Sequence, residues 1–367
     1  MRLAPLSFGK RILQLLGAFS SVLLLLVLAE LVLRMLPIID GARRATPSST
    51  FASARLVPGH AYTWSLGWDL RHVVHGRING SGFPAPYEYV PNQPALALFG
   101  DSFAEGIMLD YRESLAGRLN DVSDGRVRSF NFGISGAALP HYLGMAREMR
   151  RRFAFDAALI VVSENDYVEG FNAQEGLYSW GDDAKGDLVK LVPATRPGIL
   201  MRIARASALF RYLRYHLKFN PPTLFSGKGQ PACVPAQLDA RDRLRLAGYV
   251  DALQRALALA PDRIVIAFAA GSEQVYARVD RPREARTANT CPSRDALAQS
   301  ELRSLAAARG LKILDIPALL EKHYRQYRQR MDFSPVDAHW NGVATALIAG
   351  EASALLKTDR LAGAPSP

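Results

Sequence analysis

The sequence predicts an α/β fold, a three-layer α/β/α domain built on a mostly parallel five-stranded sheet and preceded by one N-terminal transmembrane helix. Three observations predict it. Five short apolar runs, Ala95–Phe99, Val127–Phe132, Ala157–Val162, Arg263–Ala269 and Lys312–Ile316, have the length of buried strands. Helical patterns fill the intervals, notably Leu238–Leu259 and Arg294–Ala308, and such alternation argues for a parallel sheet covered on both faces. Near the N-terminus, Ile12–Ala29 is uncharged and mostly apolar, long enough to cross roughly 30 Å of hydrocarbon as a helix.

In chain order, residues 1–36 read as a cytoplasmic stub and membrane anchor. Lys10 and Arg11 flank the apolar run on one side and Arg34 on the other, and apolar character resumes after Glu30 as LVL. A cleaved signal peptide would have a shorter core and a small-x-small site, which AELVLRMLPIID does not offer. Glu30 sits where it can reach the interface and is assigned no function. Residues 37–94, rich in Pro, Gly, Ser and aromatics, read as an irregular lead-in packed on the domain. Residues 95–358 read as the α/β domain, with an insertion at about 168–237 that is too long for a simple crossover.

Within the insertion, Tyr178 and Trp180 are candidate substrate contacts at the rim of the site. Gly198–Phe219 reads as a basic amphipathic helix that docks its apolar stripe on its own domain, an anionic lipid surface being the alternative. Gly342–Leu356 reads as a final helix packed back on the sheet. Residues 359–367 read as a disordered tail.

The chemistry gathers at the ends of strands. In ALALFGDSFAEG, Asp101 and Ser102 follow the apolar run on a sharp strand-to-helix turn, at the edge where open α/β sheets place their ligands. A helix starting there would aim free N–H groups at a developing oxyanion, although Asp101 and Ser102 can also serve only as caps. In RSFNFGISGAA, Gly136 lets the backbone approach a ligand and offers its N–H, while Asn131 and Gly133 shape the turn. In AALIVVSENDY, Asn165 can present a neutral amide donor to an oxyanion, or form an Asx-turn or helix cap. In MDFSPVDAHWNGVA, Asp337 and His339 precede a helix that Asn341 can cap.

A serine hydroxyl is a weak nucleophile at neutral pH and needs a base, and histidine with an orienting carboxylate supplies one. The chain has seven histidines. His60, His72 and His75 precede the sheet, His141 opens a helix, His216 lies in the basic amphipathic stretch and His323 in a charged helix. His339 alone combines an adjacent carboxylate with a loop following the last strand.

Gly100-Asp101-Ser102, Gly136 in NFGISG, Asn165 in SEND, and Asp337 with His339 together resemble, in order and spacing, the SGNH (GDSL-type) hydrolase family, over about Ala95–Leu356. The resemblance implies a flavodoxin-like sheet, with Ser102 as nucleophile and His339 as base oriented by Asp337. It also implies an oxyanion hole formed by the Ser102 N–H, the Gly136 N–H and the Asn165 side chain. Two departures stand out. Ser163 occupies the usual glycine of the Gly-x-Asn-Asp block, and the acid stands two residues before His339 rather than three, where Val336 is found. Asp332 is therefore a rival orienting group. GRINGSGFPAPYEYVPNQP resembles the lead-in to the nucleophile strand in anchored members.

What this resemblance implies is a membrane-anchored serine esterase acting on acyl esters, chiefly acetyl, of cell-envelope carbohydrate, with no cofactor or metal. An O-acyltransferase modifying an exported polysaccharide would share the same apparatus. Lysophospholipid cleavage and a non-catalytic anchored scaffold are further alternatives. Arg2, Lys10 and Arg11 before the span nearly balance Arg34, Arg43 and Arg44 after it. Analogy with anchored relatives therefore sets the expected orientation: inner membrane, single pass, with the domain facing the periplasm.

The net charge of +11 is carried mostly by arginine and spread along the chain. Its alternation with acids on helices, without a recognition motif, argues against nucleic acid and for an anionic membrane surface or acidic glycan. Cys233 and Cys291, in PACVP and TCPSR, are the only two cysteines. A bridge between them would contribute about 4 kcal/mol on the chain-entropy model, buried free thiols being the alternative. Neither has metal-site spacing.

Overall fold

Strands without polar residues need cover on both faces, and residues 95–99, 157–162 and 264–268 are buried at every position. In the computed structural model, which describes residues 8–45, 51–93, 95–123, 125, 127–181, 187–219, 236–281 and 292–358, all three lie in one sheet. Along the chain the strands are β1 (Ala61–Leu66), β2 (Arg71–Arg77), β3 (Ala95–Phe99), β4 (Arg128–Asn131), β5 (Ala157–Val162), β6 (Tyr178–Trp180), β7 (Val189–Leu191), β8 (Ile264–Phe268), β9 (Lys312–Asp315), β10 (Asp332–Phe333) and β11 (Asp337–Trp340). The order β4-β3-β5-β8-β9 makes a five-stranded sheet in which every pairing is parallel. The remaining strands pair as β1-β2, β6-β7 and β10-β11.

Alternate residues of the sheet feed separate cores. Phe99, Ile160, Val162 and Phe268 pack with helices Leu139–Arg150, Ala240–Leu257 and Arg294–Ala308. Leu98, Leu159, Val161 and Val265 pack with Leu115–Val122, Ile316–Tyr327 and Gly342–Leu356. The result is the expected three-layer α/β/α arrangement. Numbered within the sheet, the strand order is 2-1-3-4-5, so the winding reverses beside β3. The carboxyl end of β3, between β4 and β5, is the switch point where open sheets of this kind leave a crevice.

Local chemistry sets the helix ends. Ala240–Leu257 starts at a capping box between Asp239 and Asp242 and stops at Ala258, which takes the left-handed conformation at φ 52°, so it is shorter than Leu238–Leu259. Asn341 caps Gly342–Leu356, its Oδ1 accepting from Val343 N at 3.0 Å and Ala344 N at 3.4 Å.

The chain divides into two units, 1–40, 63–73 and 197–228 in one, and 41–62, 74–196 and 229–367 in the other. The larger holds the five-stranded sheet. Before β3, Asn79 Oδ1 accepts from Ser81 N and Phe83 N and turns Phe83 inward, where it packs edge-on against Phe132 at 5.1 Å. Trp180 corrects an expectation: it is buried in the core, its Nε1 donating to Tyr167 O at 3.0 Å, and does not line an open rim. Tyr178 is half-buried against Gly144 and the His141 ring.

In the smaller unit, Phe8–Arg34 is a helix of 27 residues, about 40 Å long. Its segment Ile12–Arg34 is long and apolar enough to cross a membrane, and none of it is buried. The stretch read as one helix over Gly198–Phe219 breaks at Ser207, whose ψ of 127° is extended and whose Oγ caps the next turn by accepting from Phe210 N. Ile199–Ala206, Ala208–Arg211 and a π turn at Tyr212–His216 result. No residue of Ile199–Ala206 is buried, so among the described residues its apolar face does not dock as expected. Cys233, Cys291 and the 359–367 tail lie outside the described residues.

Candidate active site

The turn after β3 is tighter than the sequence suggests. Ser102–Glu105 is a single helical turn, capped by Asp101 Oδ1 accepting from Phe103 N at 2.9 Å and ended by Gly106 at φ +64°. One turn aligns too few peptides for a sizeable helix dipole, so the expected helix-end field is largely missing. Asp101 does the capping, which leaves the Ser102 hydroxyl to other partners.

Its partner comes from the far end of the chain. His339 lies on β11, in a short antiparallel pair with β10, where a plain loop was expected. His339 Nε2 is 2.8 Å from Ser102 Oγ, and His339 Nδ1 is 2.5 Å from Asp337 Oδ1. The same Asp337 oxygen accepts from the His339 backbone N–H at 2.8 Å, so the two-residue spacing closes a compact ring that holds the imidazole. Asp332 is buried beneath, its carboxylate engaged by Arg330 Nε and Ser334 Oγ, and takes no part in this chain of bonds. The Phe103 ring packs at 4.9 Å from the imidazole and 4.6 Å from Trp340. Burial pulls the His339 pKa down. The Asp337 bond and charge, with Asp101 and Glu105 nearby, outweigh it and hold the imidazole above its ordinary 6.5.

Gly136 stands in the loop after β4, at φ +75°, a conformation that favours glycine. Arg44 Nη2 donates to Ser135 O at 2.5 Å, the carbonyl of the peptide whose N–H belongs to Gly136. Peptide planarity then fixes the direction of that N–H. Gln174 Nε2 donates to Gly136 O at 3.2 Å, which holds the following peptide. Beneath the loop, the buried Glu105 carboxylate accepts from Ser135 Oγ, and Arg44 interacts with its charge. Asn131 Nδ2 donates to Ala104 O at 2.9 Å, and a Cβ at Gly133 would lie 2.4 Å from Glu105 N. Asn131 and Gly133 thus lock the Ser102 turn against the Gly136 loop, beyond shaping their own.

Burial pushes the Glu105 carboxyl up from 4.5 to about 7, against the Ser135 bond and the Arg44 charge. Between those two values the folded chain binds more protons than the unfolded one, so Glu105 subtracts stability as pH rises through this window. Glu105→Gln lacks that titration. Its melting temperature relative to the parent is therefore expected to climb from pH 4.5 to 7 and level off above, as thermal unfolding at stepped pH will show.

On the other flank, β5 is followed by Ser163, whose Oγ donates to Asp101 Oδ2 at 2.8 Å. A glycine at this position would forgo that tie between the two turns. Asp166 Oδ2 accepts from Ser163 N and from Tyr142 OH, both at 2.8 Å, which fixes the turn carrying Asn165. Asn165 itself is exposed, makes no side-chain cap bond, and pairs with Glu169.

The structure therefore brings Ser102, His339 and Asp337 into one hydrogen-bonded chain. Gly136 and Asn165 lie in the segments that follow β4 and β5, the strands flanking β3, but outside that chain of bonds. Arg44, Glu105, Phe103 and Gln174 escaped sequence reasoning. Phe103 and Glu105 adjoin Ser102 and carry only that hint, while Arg44 and Gln174 come from distant segments with no motif. Among the described residues, no group of three or more His, Cys, Asp or Glu is placed to hold a metal ion.

No family model matches the chain, and no curated protein does. Among solved structures, it is similar to an α/β hydrolase enzyme from the metagenome of Lake Arreo, Spain, at 13% identity and a TM-score of 0.39, covering 74% of this chain and 98% of that one. An acetyl xylan esterase from Geobacillus stearothermophilus is similar at 11% identity and 0.39, covering 73% and 96%. A member of the lipolytic protein G-D-S-L family from Veillonella parvula is similar at 10% identity and 0.37, covering 72% and 98%.

Proposed function

We propose that the chain is a membrane-anchored serine esterase of the SGNH (GDSL-type) hydrolase family, acting on acyl esters, chiefly acetyl, of cell-envelope carbohydrate at the periplasmic face of the inner membrane. The observation that carries this is the chain of bonds from Ser102 Oγ through His339 to Asp337. Ser102 Oγ attacks the ester carbonyl while its proton passes to His339 Nε2, and Asp337 keeps the tautomer that leaves Nε2 free to accept. The Ser102 N–H, the Gly136 N–H and the Asn165 amide hold the oxyanion, Asn165 exchanging Glu169 for it. Each such donor contributes about 3 kcal/mol to the transition state. His339 then protonates the leaving alcohol, and the acyl group stays on Ser102. Water, deprotonated by His339, attacks the acyl-enzyme, and the acid leaves with Ser102 restored.

The apolar, exposed helix Ile12–Arg34 supports the anchor, and the periplasmic face follows from analogy with anchored relatives. A fluorophosphonate probe is expected to label the native chain and not Ser102→Ala. Absence of labelling on the native chain would point to a scaffold without chemistry. Release of p-nitrophenol from p-nitrophenyl acetate is expected to be insensitive to an added oligosaccharide. Faster release together with acetylated oligosaccharide would make a sugar hydroxyl the acceptor and the protein an O-acyltransferase.

A further inference from the structure

A helix that buries none of its residues needs another partner for its apolar side. Ile199, Leu200 and Ile203 are 66%, 80% and 62% exposed and fall on one side of Ile199–Ala206, with Arg202 and Arg205 on the opposite side. The same unit exposes further large apolar side chains, including Trp68, Met35, Tyr215 and Phe219. From Gly198 to Phe219 the chain carries five cations, Arg202, Arg205, Arg211, Arg214 and Lys218, and no acidic residue.

This element is fastened to the apolar span. Glu30, one turn before the helix end at Arg34, accepts from Ser207 Oγ at 2.7 Å, Ala208 N at 3.0 Å and Leu209 N at 2.9 Å. Those are the groups at the start of Ala208–Arg211, so a carboxylate of the span itself caps the neighbouring helix. Arg211 adds an ion pair to Asp40 at 3.4 Å, and Tyr212 OH donates to Trp68 O at 2.7 Å. Glu30 lies about 6 Å of helix rise from Arg34, so the fastening sits near the end of the span. That is the depth at which a bilayer gives way to headgroups, where exposed Trp, Tyr and basic side chains are favoured.

We infer that residues 199–219 form a second membrane contact, an amphipathic collar that lies on anionic lipid at the carboxyl end of the span. This rests on the anchor reading of Ile12–Arg34. The apolar side enters the headgroup boundary, and the arginines meet lipid phosphates. The collar sets the depth of the unit as well as its attachment, because Glu30 couples the two.

Photo-crosslinking of the full chain in vesicles tests it. p-Benzoylphenylalanine is placed singly at Leu200, at Ile203, at Leu24 within the span, and at Leu244, which is exposed on the larger unit. In phosphatidylcholine–phosphatidylglycerol vesicles, lipid adducts are expected at Leu24, Leu200 and Ile203 and not at Leu244. Adduct yield at Leu200 is expected to fall severalfold in phosphatidylcholine alone, and in the anionic vesicles when Arg202→Gln and Arg205→Gln are combined. Lipid adducts at Leu24 with none at Leu200 and Ile203, or adducts there only to protein, overturn the collar and leave the anchor standing. Absence of adducts at Leu24 overturns the anchor and the collar with it. Equal yields with and without phosphatidylglycerol overturn the preference for anionic lipid.

Discussion

Ser102→Ala and His339→Ala are each expected to lower kcat on p-nitrophenyl acetate by about 10⁴-fold or more, and the double variant to lose little beyond either one. The two atoms form one 2.8 Å bond, and a nucleophile without its base is as ineffective as a base without its nucleophile. KM is expected to change little, since neither group supplies most of the ground-state binding. Both side chains are half-buried at the sheet edge, so circular dichroism should report folded proteins. Losses that multiply in the double variant would mean independent roles and would dissolve the proposed pair.

Asp337→Asn should lower kcat by about 10³–10⁴, because the imidazole would lose the partner that selects its tautomer. It also changes the pH profile in a calculable direction. As the proposed base, His339 would accept a proton only when neutral, so activity is expected to rise with pH through its pKa. Burial depresses that pKa and the Asp337 bond and charge more than restore it, leaving it above 6.5. Removing the charge leaves burial in control, so the acidic limb of kcat/KM is expected to move to lower pH in Asp337→Asn. Asp332→Asn serves as the contrast. It breaks bonds to Arg330 and Ser334 and should cost stability while leaving the limb in place. If Asp332→Asn shifts the limb and Asp337→Asn does not, the orienting group has been misassigned.

Much of the fold is legible in the residues. Ala157–Val162 has no polar atom in its side chains and, at six residues between turn signals, reads as a buried strand, and its neighbours β3 and β8 read the same way. The cap at Asn341 is legible too, because it acts on N–H groups two and three residues ahead. Partners distant along the chain leave no such local mark. Gly198–Phe219 carries a continuous helical stripe, yet it breaks at Ser207, where Glu30, far away in sequence, offers a better acceptor to the freed N–H groups. Trp180 has the composition of a binding aromatic, but its indole N–H finds the Tyr167 carbonyl inside the core.

The sequence by itself determined the strands, their burial on both faces, and the small set of polar residues at their ends, because hydrophobic periodicity and capping are local properties. Only the tertiary structure decided that Asp337, and not Asp332, meets His339, that Ser163 ties its turn to Asp101, and that Arg44 and Glu105 steer the Gly136 peptide. Those choices depend on hydrogen-bond geometry between segments separated by tens to hundreds of residues. A shift of an ångström there exchanges one partner for another while the local pattern of the chain stays the same.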